Sequence, residues 1–129
     1  MTRRVVLDAS ALLAAVFEEA GCERVIPRLA DAAISAVNYS EALTKQIRRG
    51  ADPGRVVEGL RALGLETIAW DSDLAERSVD LSALGWTHGL SFGDRACLAT
   101  ARHLKLTALT AERDWRKLPK LGIDIQFIR

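Results

Sequence analysis

The sequence has few cysteines, few prolines and no long apolar run. Of its 129 residues only two are cysteines and three are prolines. Cys22 and Cys97 lie in apolar, helix-like stretches without a CxxC pair or a cluster of histidines. We therefore expect small core residues of a reducing compartment, and neither a disulfide nor a zinc site. No Pro-, Gly- or Ser-rich linker and no repeat divides the chain, which predicts one domain over residues 1–129.

The apolar stretch near the start is too short for a membrane span. Arg3 and Arg4 followed by apolar residues resemble the beginning of a signal peptide, but Asp8 interrupts the stretch and residues 18–19 are both Glu. We expect a cytoplasmic protein without a membrane anchor. The formal net charge of +1 favours no class of partner, although four carboxylates gathered in one site would leave the remaining charges at +5, from 18 basic and 17 acidic residues.

Strand-like and helical patterns alternate along the chain. The strand-like runs are residues 4–7, 33–37, 66–70, 107–109 and 124–128. The helical patterns cover residues 9–19, 22–31, 39–49, 53–63, 72–84, 92–104 and 112–117. Strands separated by helical crossovers predict an α/β sandwich with a largely parallel sheet, whose ligand sites form at the carboxyl ends of the strands.

Four acidic residues follow the predicted strands and are expected at that edge of the sheet. Asp8 ends the first strand in VVLDASALLA, and Glu41 lies in the first helical turn after the second strand, in SAVNYSEAL. Asp94 begins the helix before the fourth strand, in LSFGDRACLATA, and Glu112 follows that strand in ALTAERDW. Their separations of 33, 53 and 18 residues mean that only the fold can bring them together.

Each acid also has an ordinary structural interpretation. Asn38 with Glu41, and Ser91 with Asp94, have the spacing of a helix capping box. Glu112 fits the first turn of a helix, where the helix dipole favours an acid. An N-cap is the corresponding alternative for the acid that closes the first strand.

A cluster of these carboxylates requires a cation. Two unit charges about 4 Å apart repel by about 4 kcal/mol at an effective dielectric constant near 20. Four in one crevice therefore require protonation or a bound cation. Asp8 has no basic residue in the four positions after it, and all candidate ligands are oxygens, which favours Mg²⁺ or Mn²⁺ over zinc. Such a site is typical of phosphodiester hydrolysis.

The four motifs together resemble the PIN-domain family over essentially the whole chain, and within it the compact VapC-type toxins of bacterial type II toxin–antitoxin pairs. The resemblance implies a three-layer α/β/α PIN-like domain with a mostly parallel central sheet of about five strands. It also implies a Mg²⁺- or Mn²⁺-dependent endoribonuclease that cleaves RNA, forms a homodimer and is inhibited by a cognate VapB-like antitoxin protein.

The resemblance assigns roles to the acids. Asp8, Glu41 and Asp94 match the first three acids of the family, with Asp8 and Asp94 as ligands of the principal ion. Glu41 would complete the metal ligands or orient the attacking water. Glu112 stands where the family more often has Asp, and Asp114 is the alternative fourth acid.

Other residues have supporting roles by the same resemblance. Ser10 matches a small hydroxyl residue that supports the first acid, and Thr110 matches the threonine of the last motif. The basic residues near the last two motifs form either a rim that attracts RNA or a solvated face: Arg95, Arg113, Arg116, Lys117 and Lys120. Apolar residues of the first helical patterns either expose a groove for the antitoxin or pack in the core: Leu12, Leu13, Val16, Phe17, Val25, Ile26 and Leu29.

Two other functions fit parts of the pattern. A phosphatase or phosphoryl acceptor can also use an Asp that closes the first strand, but the dehalogenase-type pattern needs a second Asp where Ser10 stands. The departure at Glu112 is compatible with a degraded site in a non-catalytic interaction module. Metal-dependent RNA cleavage discriminates among the three.

Overall fold

A parallel five-stranded sheet forms the centre of the protein. The computed structural model describes residues 3–129, so the first two residues of the predicted domain lie outside it. The strands are Val5–Leu7 (β1), Ala32–Ser35 (β2), Glu66–Ile68 (β3), Thr107–Thr110 (β4) and Ile125–Phe127 (β5). Their order is β3-β2-β1-β4-β5 and every pairing is parallel. Strand β1 is therefore central, between β2 and β4.

Helices cover both faces of the sheet. They are Ala9–Val16 (α1), Ala36–Arg48 (α2), Pro53–Ala62 (α3), Ser72–Arg77 (α4), Ala83–Thr87 (α5) and Phe92–Leu104 (α6). Successive side chains of β1 point to opposite faces. Val5 belongs to the same core cluster as Leu12 of α1, whereas Val6 belongs to the cluster that contains Leu98 of α6. These two core layers confirm the predicted α/β/α fold.

Three of the predicted helices are wrong in detail. Residues 22–31 form the 3₁₀ turns Cys22–Arg24 and Ile26–Asp31, because Pro27 lies at the start of the second turn and lacks the N–H that a continuous helix needs. Residues 72–84 break into α4, the 3₁₀ turn Val79–Leu81 and the start of α5. The pattern at 112–117 is also a 3₁₀ turn, Arg113–Lys117.

Helix α2 begins three residues earlier than predicted. The Ser35 side chain accepts a hydrogen bond from the main-chain N–H of Val37 at 3.2 Å and caps the helix. The predicted second strand therefore ends at Ser35, and Glu41 lies in the second turn of α2. Asn38 lies inside α2, so the capping-box alternative for Asn38 and Glu41 is wrong.

The two cysteines differ in burial. Cys97 is fully buried in the core and Cys22 is half-buried, and both are free thiols. None of the helices in the described part of the chain is long and apolar enough to cross a membrane.

Candidate active site

Asp8 is a buried carboxylate at the carboxyl end of the central strand. Only 3% of the residue is exposed, and its main-chain N–H donates to the carbonyl of Leu109 on β4 at 2.9 Å. Asp8 occupies the N-cap position of α1, but its side chain accepts no capping hydrogen bond from a main-chain N–H of the helix. The N-cap alternative therefore describes its backbone and does not explain its carboxylate.

Two hydroxyl groups hold one oxygen of this carboxylate. Ser10 Oγ donates to Asp8 Oδ2 at 2.6 Å, and Thr110 Oγ1 donates to the same oxygen at 3.1 Å. Each hydroxyl also accepts a main-chain N–H, from Ala111 at 3.0 Å and from Glu112 at 2.9 Å respectively. Each N–H uses one lone pair of the hydroxyl oxygen that it reaches, and the single hydroxyl proton is donated to Asp8. The end of β4 thus orients the acid at the end of β1.

The environment of Asp8 disfavours its charged form. Burial raises its pKa from 3.8 to about 7, and the nearby charges of Asp94 and Glu112 add to the rise, while the hydrogen bonds from Ser10 and Thr110 oppose it. Among residues 3–129, no arginine or lysine forms an ion pair with Asp8. The site therefore has a buried acid whose negative charge no protein cation balances.

Glu41 extends from α2 towards the start of α6. Its Oε1 accepts a hydrogen bond from Asn38 Nδ2 at 2.9 Å, and its carboxylate lies against Gly93, where a Cβ atom would overlap it. Sequence reasoning found Glu41 but missed the functional contacts of Asn38 and Gly93. The only signals were an amide three positions before one acid and a glycine directly before the next.

Asp94 combines a structural and an electrostatic role. The main-chain N–H of Ser91 donates to Asp94 Oδ2 at 2.9 Å, and the N–H of Asp94 donates to Ser91 Oγ at 3.1 Å, so the predicted capping-box alternative is correct. The charge of Asp94 nevertheless raises the pKa of Asp8. The capping box therefore fixes an acid that also faces the buried carboxylate.

The two candidates for the fourth acid, Glu112 and Asp114, have different surroundings. Glu112 follows β4 directly and its charge raises the pKa of Asp8. Asp114 is not among the groups that shift this pKa. Its side chain is 85% exposed and lies 3.8 Å from Lys117 Nζ. Glu112 is thus the candidate whose charge acts on the buried acid.

The acids converge without forming a finished metal site. Burial raises the pKa of the Cys97 thiol, and the charges of Asp8, Asp94 and Glu41 raise it further, so all three acids lie near enough to act on one buried group. Within residues 3–129, however, no three His, Cys, Asp or Glu side chains form a ready metal-binding group. The fold gathers the acids at one edge of the sheet, and their side chains are not at coordinating positions.

A comparison with models of protein families identifies the family of this chain. The family model "PIN domain" matches residues 5–121. The chain belongs to the PIN domain family.

Solved structures of PIN-like architecture match nearly the whole chain. A toxin–antitoxin complex from Klebsiella pneumoniae has a TM-score of 0.73 and 22% identity, covering 97% of this chain and 98% of its own. DNA-bound VapBC from Salmonella typhimurium has a TM-score of 0.76 and 18% identity, covering 99% and 100%. Mycobacterium tuberculosis VapC20, described as a sarcin-ricin loop cleaving toxin, has a TM-score of 0.73 and 16% identity, covering 93% and 98%. The sequence comparison with curated proteins gives no match. These likenesses show the fold alone.

The three arginines of the predicted basic rim have different surroundings in this PIN domain. Arg116 stacks its guanidinium over the Phe127 ring, 4.0 Å from the ring centre. Arg95 Nε donates to the carbonyl of Ser91 at 3.3 Å, beside the capping box. Arg113 is exposed. Arg95 is thus the one of these three predicted RNA-binding residues that contacts the start of α6.

The predicted apolar groove is largely core in this PIN domain. Leu12, Leu13 and Val25 are buried, which fits the core-packing alternative. Ile26 is 48% exposed, and Phe17 is half-buried under the guanidinium of Arg49 at 4.0 Å. A small apolar area at the end of α1 and the following turns is exposed at the surface.

Proposed function

We propose that this PIN domain is a metal-dependent endoribonuclease, the toxin of a VapBC-type toxin–antitoxin pair. The observation that carries the proposal is the buried Asp8 carboxylate, which has two acidic neighbours and no ion pair among the described residues. Such a group is unfavourable in its charged form unless a cation binds. The surrounding ligand atoms are carboxylate oxygens, which suit Mg²⁺ or Mn²⁺.

Each acid has a distinct task in this proposal. Asp8 and Asp94 hold the principal ion, Glu41 completes the ligands or orients the attacking water, and Glu112 contributes to a second ion. A bound divalent ion would supply activated water and neutralise the charge that develops on the phosphate. The chain itself contributes rigidity, since two hydroxyls fix Asp8 and a capping box fixes Asp94.

The partners follow from the same proposal. Similar structures are titled VapBC or toxin–antitoxin complexes and match almost the full length of the chain. We infer an RNA substrate, a VapB-like antitoxin, a homodimer and a cytoplasmic location. Ser10 and Thr110 are supporting residues, and Arg95 is the best placed of the predicted RNA contacts, ahead of Arg113 and Arg116.

A cleavage assay tests the proposal. Purified protein is incubated with total RNA in the presence of Mg²⁺, Mn²⁺ or EDTA, and the fragment ends are sequenced. We expect discrete fragments with either metal and none with EDTA. A folded protein that is free of inhibitor and cleaves no RNA with either metal would contradict the nuclease and favour a non-catalytic interaction module.

The hydroxyl of Thr110 is expected to support cleavage through Asp8. Thr110→Val keeps the side-chain shape but removes one of two hydrogen bonds to Asp8 Oδ2. Losing a group that orients a metal ligand costs about 10- to 100-fold in affinity or activity, and we expect a loss of that size in kcat/KM. Thr100→Val is the control, because Thr100 is also fully buried and its hydroxyl has no partner among the described residues. Equal losses in the two variants would refute the role of Thr110.

The fourth acid can be assigned by two matched substitutions. We expect Glu112→Gln to lower kcat/KM by about 10-fold or more, because in this proposal its carboxylate contributes to a second ion. Asp114→Asn is expected to change it less than about twofold, because that side chain is exposed and paired with Lys117. The reverse order of effects would assign the role to Asp114.

A further inference from the structure

Asn38 is a buried amide between the two helices that carry Glu41 and Asp94. The residue is 0% exposed. Its Nδ2 donates to Glu41 Oε1 and to the main-chain carbonyl of Gly93, both at 2.9 Å. These bonds use both protons of the amide group. One side chain thus joins an acid on α2 to the residue directly before Asp94 on α6.

The amide oxygen of Asn38 is left without a hydrogen-bond partner among the described residues. Both of its neighbours are acceptors, so the NH₂ group must face them and the oxygen must face away. That oxygen is buried and accepts no hydrogen bond from the described residues. An unpaired buried acceptor costs about 1–3 kcal/mol. The amide is thus used through its two donors, one of which binds Glu41, and an apolar side chain of similar size could supply neither.

Gly93 on α6 lies against the same Glu41 carboxylate. A Cβ atom at this position would overlap the Glu41 carboxylate. The backbone does not require glycine here, because Gly93 is not among the residues with positive φ. Within a helix, glycine is about 1 kcal/mol less favourable than alanine. The missing side chain therefore makes room for Glu41.

We propose that Asn38 is a positioning residue that holds Glu41 against the first turn of α6, in the space left by Gly93. The inference rests on the proposed function, in which Glu41 is one of the ion-binding acids. Without the amide, this half-buried side chain would lose the hydrogen bond that selects its rotamer. An amide supplies two donors without adding charge to a site that is already acidic.

The matched variants Asn38→Leu and Gln46→Leu test this role. Gln46 is also a buried amide on α2, but it donates only to the carbonyl of Ala42, at 3.1 Å. We expect Asn38→Leu to fold and to lose about 10- to 100-fold in Mn²⁺ affinity and in kcat/KM, whereas Gln46→Leu retains both. Combined with Glu41→Gln, the Asn38 substitution should cost nothing further, because it acts through Glu41. Additive losses would overturn the proposal.

Crystal structures give a result that does not depend on activity. We expect the Glu41 carboxylate to leave Gly93 in Asn38→Leu and to stay in Gln46→Leu. A carboxylate that stays in place in both would overturn the positioning role. If Asn38→Leu does not fold, Gly93→Ala displaces the same carboxylate and is expected to give the same loss. A wild-type protein without metal-dependent cleavage would refute the nuclease, while the crystal structures would still decide the role of Asn38.

Discussion

Asp8→Asn is expected to abolish RNA cleavage while making the protein more stable at pH 8. The substitution keeps the shape and allows Ser10 and Thr110 to donate to an amide oxygen, but removes the charge that would bind the ion. Groups that only support a metal ligand cost about 10- to 100-fold when removed, so for the ligand itself we expect a loss of at least about 1,000-fold. Stability should rise because the buried charge disappears.

The combination of the two effects is the informative result. A residue that maintains the fold loses activity and stability together when it is replaced, whereas Asp8 is expected to lose one and gain the other. Single-turnover cleavage and thermal unfolding of the same preparations measure both quantities. Asp114→Asn is the matched control, since it removes one carboxylate from an exposed position. An Asp8→Asn protein that still cleaves RNA would remove this residue from the proposed site.

The strand ends are where sequence reasoning succeeded. β1 is a short run of buried apolar residues that stops at Asp8, and a parallel sheet places the residues after β1 and β4 at one edge. The position of Asp8 beside Thr110 and Glu112 follows from this alternation. Helix α6 spans the predicted residues 92–104 because Ser91 and Asp94 form a capping box that is visible in the sequence.

The contacts between helices around Glu41 could not be predicted from the sequence. Ser35 and Asn38 are both residue types that commonly cap helices. Ser35 is the one that caps α2, because β2 ends there, after Ile34 pairs with Leu7 of β1. The hydrogen bond from Asn38 to Gly93 spans 55 residues and depends on how α2 packs on α6. Local propensity carries no information about such packing, so the positions of the acids on the strands and helices could be predicted, whereas the contacts of Glu41 with Asn38 and Gly93 could not.

The stability of the protein is expected to fall as the pH rises from about 4 to about 7. Burial raises the pKa of Asp8 from 3.8 to about 7 in the folded protein. Between these values the folded state keeps a proton that the unfolded state has lost, so stability is fully present below the lower value and declines until the higher one. At 1.36 kcal/mol per pKa unit the loss is about 4 kcal/mol at most. Other groups titrate in this range, so the quantity to measure is the difference in unfolding free energy between wild type and Asp8→Asn.

A divalent ion should reverse this loss, because it supplies the positive charge that the chain does not place beside Asp8. At pH 8, Mn²⁺ at 100 times its dissociation constant is expected to stabilise the wild type by about 2.7 kcal/mol, and to leave Asp8→Asn nearly unchanged. Unfolding in denaturant at pH 5 and pH 8, with and without Mn²⁺, measures the free energy of unfolding of both proteins under each condition. Little stabilisation is expected at pH 5, where Asp8 is protonated and a proton competes with the ion. Equal stabilisation of both proteins at pH 8 would place the ion elsewhere, and the buried charge would then need another explanation.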